Sequence, residues 1–417
     1  MLLAITIRWV QHVPVTDHMV SKIQRLMRVS QTFTPSAPIS RRDLFAGRGE
    51  QILKVATALA SPGRQVALYG ERGVGKTSLA NVIQELMAPD GGSPIRAYRI
   101  NCDTEDVYFT IWKRVFEEAG FVMSDEWTRH SPPRPDDIRR ALSTKPPFYI
   151  ILDEFDRIAD DDTLSLMADT MKAFSDHALL TKLMVVGVAS SIDQLVGEHE
   201  SIQRAIQEVL MPRMTEQDMR DIVRVGAKAV GIEFAPGAED AIVRLAEGLP
   251  HFVHLLAGGA AEACIQDDRE KVSVRDVRRA AEIAVQSHLL MREYQTAIQS
   301  GRKNLFAEVL TACALAKKND LGQFTAKAVE TPLTDIMGKT YDIPGFAKHL
   351  NRFTGDDRGR VLIQEGVERR FTYRFRNPLL QPFAILMAIK QSMLPPGYMK
   401  EFIDDSYEPA PELPMEY

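Results

Sequence analysis

Short apolar stretches at residues 66–69, 95–101, 149–153, 183–189 and 207–211 alternate with stretches in which apolar residues recur at helical spacing. Runs too short for a buried helix but continuous in apolar character predict strands covered on both faces, and alternation with helices predicts a parallel α/β sheet. From residue 215 the pattern becomes helical only. Thr215 with Asp218 reads as a capping pair opening a helix to residue 230, a second helix spans 237–247, a third begins at Pro250, and Ser273 caps a fourth reaching about 286. Beyond residue 303, helices at 305–316, 325–337 and 343–353 precede a ribbon of two strands, 361–364 and 369–376, around Gly366. In that ribbon Phe371, Tyr373 and Phe375 alternate with Arg370, Arg374 and Arg376, so the aromatics are expected inside and the arginines outside.

The pattern divides the chain into a loosely held, poorly ordered leader (1–42), an α/β domain (43–214), a helical lid with a linker helix (215–300), a three-helix-plus-ribbon domain of winged-helix form (301–395) and a tail (396–417). The leader assignment rests on the Ser-, Thr- and Pro-rich stretch 31–42. The tail carries six acidic and no basic residues between 401 and 417, with three prolines, and is expected to be disordered. Its charge suggests shielding of the basic wing in cis.

Between the first strand and the following helix stands Gly70-Glu71-Arg72-Gly73-Val74-Gly75-Lys76-Thr77, which meets every required position of a P-loop. Glycines let the backbone wrap a phosphate chain, amides and the helix dipole converge on the anion, Lys76 adds a point charge, and Thr77, followed by Ser78, offers a hydroxyl to Mg²⁺. The third strand ends in Asp153-Glu154, as a Walker B strand does. Asp153 is expected to hold the Mg²⁺ shell and Glu154 to polarise the attacking water, because a metal ligand cannot also serve as a free base. Asp156 and Arg157, just beyond, read as surface charges.

These motifs resemble the AAA+ ATPases, in particular the branch holding origin-recognition and initiator-type proteins and the neighbouring signalling ATPases called STAND. The resemblance covers roughly residues 43–390 and implies a five-stranded AAA+ sheet followed by a helical lid and a winged helix-turn-helix. It further implies ATP and ADP as ligands, Mg²⁺ as cofactor, slow ATP hydrolysis and a nucleotide-dependent homo-oligomer. In such proteins a loop like Leu44-Phe45-Ala46-Gly47-Arg48 lies beside the adenine, which makes Phe45, Gly47 and Arg48 base-contact candidates. Ser190 stands where the family places a polar γ-phosphate sensor, although Ser190 or Ser191 equally suits a helix N-cap. Arg204 stands where an arginine finger acts on a neighbouring subunit, with Arg213 the competing candidate and a solvated helix-end arginine the plain alternative. Gly248-Leu249-Pro250-His251 departs from the initiator pattern toward the signalling ATPases, where the proline packs on the base; His251 either reaches a phosphate or is a half-exposed helix-start residue.

Composition narrows the rest. At 417 residues, 45% apolar and 26% charged, the chain is long enough for two or three ordinary globular domains. Cys102, Cys264 and Cys313 show no metal-ligand spacing and suit a reducing compartment, and the apolar run in residues 1–10 is too short to span a bilayer, so a cytoplasmic location without membrane contact is expected. Between 339 and 390 ten basic residues face five acidic ones, in a chain of net charge −5. That asymmetry points to duplex DNA contacted through Arg370, Arg374 and Arg376, while winged helices also dock proteins of a kind the sequence does not identify.

Overall fold

A computed structural model describes residues 17–39, 42–86, 95–124, 127, 131–188, 204–286, 288–300, 304–367 and 370–394. The sheet consists of β1 (Gln65–Gly70), β2 (Ala97–Asn101), β3 (Tyr149–Asp153), β4 (Lys182–Gly187) and β5 (Ile206–Met211), in the order β2-β3-β4-β1-β5 and parallel throughout. Every residue of β3 and β4 is buried, which is why those strands read as unbroken apolar runs. The register pairs Gly70 with Met211, Tyr69 with Gly187 and Asn101 with Asp153, so the strands end together at one edge. Helices α2 (Gly49–Ala60), α3 (Lys76–Leu86), α4 (Tyr108–Glu118), α5 (Pro135–Ser143) and α6 (Asp161–Asp176) are interleaved with these strands.

A helical layer follows: α7 (Glu216–Val230), α8 (Pro236–Ala246), α9 (Pro250–Gln266) and α10 (Val274–Ala284), with the short strands β6 (Glu233–Phe234) and β7 (Lys271–Val272) pairing in parallel. The expected cap is present: Thr215 Oγ1 accepts from Asp218 N at 3.1 Å, and Asp218 Oδ2 accepts from Thr215 N at 3.2 Å. α11 (His288–Ile298) leads into α12 (Phe306–Leu315), β8 (Phe324–Thr325), α13 (Ala326–Met337), α14 (Ile343–Phe353), β9 (Leu362–Glu365), β10 (Thr372–Phe375) and α15 (Leu380–Lys390). The last three strands form an antiparallel sheet in the order β8-β10-β9, one strand more than the ribbon expected, because β8 is only two residues long and leaves no periodic signal.

Two expectations need correction. The leader is not loosely held where it is described. α1 (Asp17–Thr32) and residues 33–39 lie against the helical layer, with Val29 and Phe33 in its core, and Lys22 donates to Gln266 O (2.6 Å) and Asp268 Oδ1 (2.9 Å) at the end of α9. Phe33 fits because its partners are glycines: a Cβ on Gly226 would sit 2.3 Å from the ring and one on Gly258 3.0 Å from the Phe33 Cβ. The second concerns the ribbon. β10 begins at Thr372, since the chain turns at Gly366 with φ +97°, and this leaves Arg370 on the turn and Phe371 exposed. Only Tyr373 and Phe375 are buried as expected. The tail assigned to 396–417 lies outside the described residues.

Candidate functional site

The P-loop joins β1 to α3 at the sheet edge where the strands end. Gly73 and Gly75 adopt φ of +83° and +95°, conformations an L side chain rarely takes, and they curl the loop around a cavity of about 870 Å³. That volume is in the range of a small-molecule or cofactor site. Arg72, Gly73, Val74, Gly75, Lys76, Thr77 and Ser78 line it from one side, and Asp153 and Glu154 from the end of β3.

Lys76 Nζ donates to the carbonyls of Gly70 (3.0 Å) and Glu71 (2.9 Å). Burial pushes its pKa down to about 8, against the opposing pull of the Asp156 and Asp153 carboxylates. Asp153 is buried; its Oδ1 accepts from Glu154 N at 2.9 Å, and Arg99 stands 4.0 Å from its Oδ2. Glu154 is left-handed at φ 55°, an uncommon conformation for a residue with a side chain, and its half-exposed carboxylate pairs with Arg157 at 3.0 Å. Asp156 and Arg157 also line the cavity; Arg157 is exposed, as its reading as a surface charge expects, and pairs with Glu154, while Asp156 is half-buried. The turn of 3-10 helix over Phe155–Arg157 brings the Asp156 carboxylate close enough to Lys76 to pull its pKa upward.

Of the loop expected beside the base, Phe45 and Arg48 line the cavity, whereas Gly47 abuts Asp218 instead. Arg48 is buried and donates to Val74 O at 2.9 Å, so it braces the P-loop from behind; burial lowers its pKa to about 10, with Asp218 opposing. Pro250 opens α9 and reaches the cavity, its Cγ 3.8 Å from where a Gly75 Cβ would project. His251 lines the cavity too, but its Nδ1 is tied to Pro35 O at 2.7 Å, and burial lowers its pKa. That partner belongs to the wall formed by residues 34–39, which sequence reasoning missed. The alternating Pro and small residues of that stretch look like linker, and nothing in their spacing betrays that Ser78 Oγ accepts from Ile39 N at 3.1 Å.

Besides Gly47, three expected site residues do not line the cavity. Gly70 and Glu71 do not line the cavity, and the Glu71 carboxylate turns away into a buried polar network. Arg204 precedes β5 at its N-terminal end, the sheet edge opposite the P-loop, and is exposed. It does not line this chain's own cavity. Ser190 lies outside the described residues.

In the buried network Arg213 grips Glu71 with Nε–Oε2 at 2.7 Å and Nη2–Oε1 at 2.8 Å, and donates through Nη1 to Glu247 O (3.0 Å) and Gln381 Oε1 (2.6 Å). Gln381, in the first turn of α15, donates to Glu247 Oε2 at 2.8 Å and Ala314 O at 2.9 Å. Lys318 donates to the carbonyls of Cys313 (3.1 Å), Ala314 (2.7 Å) and Ala316 (2.7 Å) and is held at a pKa of about 8 by burial. Burial likewise raises the Glu247 pKa, with Lys318 and Arg213 opposing. The approach is close enough that a Cβ on Gly322 would fall 2.4 Å from Glu71 Oε1. Arg213 is therefore committed to holding the P-loop's second residue against the C-terminal module and is not free to serve as a finger. Leu379 completes the junction, 3.5 Å from where a Gly73 Cβ would project.

Among the described residues no helix is long and apolar enough to cross a membrane, and no three His, Cys, Asp or Glu residues cluster as a metal site. The family model of the novel STAND NTPase 1 matches residues 38–338. An ORC1-type DNA replication protein from Picrophilus torridus is 23% identical over 308 residues, covering 69% of this chain and 71% of its own length. The Walker-type ATPase paby2304 of Pyrococcus abyssi is similar in fold, with a TM-score of 0.51 and 16% identity over 85% of this chain and 99% of that one. Cdc6p from Pyrobaculum aerophilum aligns with a TM-score of 0.46 and 15% identity, over 88% of this chain and 99% of that one.

Proposed function

The chain belongs to the novel STAND NTPase 1 family, P-loop NTPases on an AAA+ sheet, and on that premise we propose that it is a nucleotide-controlled ATPase whose nucleotide state sets the position of its C-terminal module. The observation that carries this reading is the Arg213 network, which ties the P-loop residue Glu71 to Gln381 of that module. A change at the P-loop backbone is thereby felt by the module, as a slow switch requires.

In this reading Lys76 and the P-loop amides bind the β- and γ-phosphates of ATP, and Phe45 and Pro250 flank the base. Thr77 and Asp153 hold Mg²⁺. A hydroxyl and a single buried carboxylate suit that ion, which keeps several waters and takes its remaining ligands from phosphate oxygens. Glu154 orients water toward the γ-phosphorus and accepts its proton as the bond to the β-bridging oxygen breaks, giving ADP and phosphate. Arg204, delivered from a neighbouring subunit of a homo-oligomer, stabilises the charge on the transferring group, a contribution of about 10³- to 10⁵-fold where such fingers operate.

Lys76→Ala should abolish most nucleotide binding, and Glu154→Gln should keep binding while losing hydrolysis. Equal loss of ATP affinity in both, by calorimetry, would refute the division of labour. The nucleotide retained on purification and the particle size with and without ATP test the switch and the oligomer directly.

The module is read as a winged helix that engages duplex DNA once released, supported by its local excess of basic residues and by the name of the P. torridus relative. A second reading, docking on protein, is favoured by one observation: Arg374 is already paired with Glu365 at 2.8 Å, so the ribbon's arginine face is partly neutralised. Fluorescence anisotropy with duplex DNA across a salt series separates them. Reversing Arg370, Arg374 and Arg376 should flatten the slope by about 0.9 log units per lost phosphate contact, and no affinity at low salt with ATP present leaves the protein-docking reading.

A further inference from the structure

A second cleft, of about 680 Å³, adjoins the nucleotide cavity at Arg72, Gly73 and Leu379 and lies between the P-loop and the C-terminal module. Three arginines from three separate elements line it: Arg72 of the P-loop, Arg292 of α11 and Arg376 just past β10. All three are exposed, and among the described residues none has a carboxylate within ion-pair distance. Among the described lining residues the one acid, Glu293, accepts from Asn377 Nδ2 at 2.9 Å. The rim is apolar as well, with Leu289 81% exposed beside Leu379. Three uncompensated guanidiniums around one cavity, in a chain of net charge −5, is an arrangement that attracts an anion.

We propose that this cleft is the docking site of the chain's own acidic segment, residues 401–417. The complementarity is of two kinds. The segment carries six acids and no bases, and its acids are interleaved with Phe402, Ile403 and Tyr407, which match the apolar rim as a bare phosphate backbone would not. The tether also permits it. Asn377 and Leu379 line the cleft immediately before α15, whose eleven residues carry the chain about 16 Å away. Asp404 and Asp405 lie ten residues or so beyond Leu394, a stretch that can span roughly 33 Å when extended. A tethered ligand of this kind is present at an effective concentration near millimolar, so modest ion pairs suffice to hold it. The ribbon is the poorer partner, since Arg374 is paired with Glu365 and Arg370 sits on the turn. Docked there, the segment would bridge the P-loop and the C-terminal module from outside. This needs neither hydrolysis nor DNA, so its test stands apart from both of those readings.

The test is disulfide trapping in the full chain. Thr296→Cys in the cleft is combined with Ser406→Cys, and the linked peptides are quantified by mass spectrometry at dilute protein; Cys102, Cys264 and Cys313 are buried and do not compete. Trapping should be fast and intramolecular, and slower by roughly 5- to 30-fold when Arg292→Glu and Arg376→Glu remove two ion pairs, with the single Arg292→Glu in between. Restoring the charge match with Asp404→Lys and Asp405→Lys should recover the rate, which a merely structural effect of the arginine changes would not do. A rate no faster than that of a control pair with exposed Ser143→Cys, or one indifferent to charge reversal, overturns the proposal. So does affinity for duplex DNA that depends on Arg292 and Arg376 while trapping does not, an outcome that assigns the cleft to phosphodiesters.

Discussion

Replacing Arg213 by Met removes a guanidinium that makes two charge-assisted bonds to Glu71 and two more to Glu247 O and Gln381, at a site where the Arg213 and Glu71 side chains are only 12% and 4% exposed. The Glu71 carboxylate then has no ion-pair partner among the described residues and little water, with Lys318 and Lys76 acting on it only at longer range. Breaking one partner of such a pair costs about 3–5 kcal/mol, whereas removing both is far milder because no charge is left stranded. Arg213→Met should therefore be severely destabilising, and adding Glu71→Gln should recover much of the loss. The coupling energy is expected at roughly 2–3 kcal/mol, the upper part of the range for residues in direct contact. Urea unfolding followed by the fluorescence of Trp112, fully buried in the sheet core, measures the four corners of the cycle. If the single costs add to within about 0.5 kcal/mol, the pair is not coupled and the P-loop is not held by the module through this contact.

The Lys76 pKa of about 8 lies below its ordinary 10.5, so the folded chain binds fewer protons than the unfolded one between those values. Stability should rise with pH across that window relative to Lys76→Met, and ATP affinity should fall by up to about tenfold per pH unit above 8, because phosphate needs the charged lysine; a flat calorimetric profile from pH 7 to 9.5 would contradict both. Arg204→Ala should leave ATP affinity intact and lower turnover, with partial recovery on mixing with Glu154→Gln. Activity that does not depend on protein concentration would leave Arg204 a surface charge. Phe33→Ala should cost about 3–5 kcal/mol, as for other fully buried rings, and should also weaken nucleotide binding, since residues 34–39 wall the cavity; a loss of stability with unchanged affinity would separate that wall from the site.

Where the physics is local, the residues announce their roles. The strand β3 and the P-loop declare themselves because a strand covered on both faces must be apolar throughout and a phosphate cradle must be glycine-rich, and both constraints act on consecutive positions. Thr215 and Asp218 are legible for the same reason, being three residues apart on one helix end. The leader was misread because what holds it is remote: Phe33 is buried only by virtue of Gly226 and Gly258, some two hundred residues away, and a lone phenylalanine before a Pro-rich stretch has no period. Glu71 stands inside the phosphate-cradling motif, and its turn into a separate network is not legible there because its partners Arg213 and Gln381 lie in other elements. Asp156 reads as surface in the sequence because the 3-10 turn that brings it near Lys76 is three residues long and leaves no period.

The order of strands in the sheet bears on how the chain is made. β1 lies between β4 and β5, and its neighbours are residues 182–187 and 206–211. The P-loop is thus synthesised well before its sheet neighbours, and β1 has no strand to pair with until some 120 further residues have left the ribosome, a wait of roughly 6–25 s at ordinary elongation rates. During that interval the apolar run of β1 is an unpaired edge. The glycines that suit the finished loop also leave it without structure of its own, so nascent chains are most open to chaperones, or to association with one another, before β4 and β5 emerge.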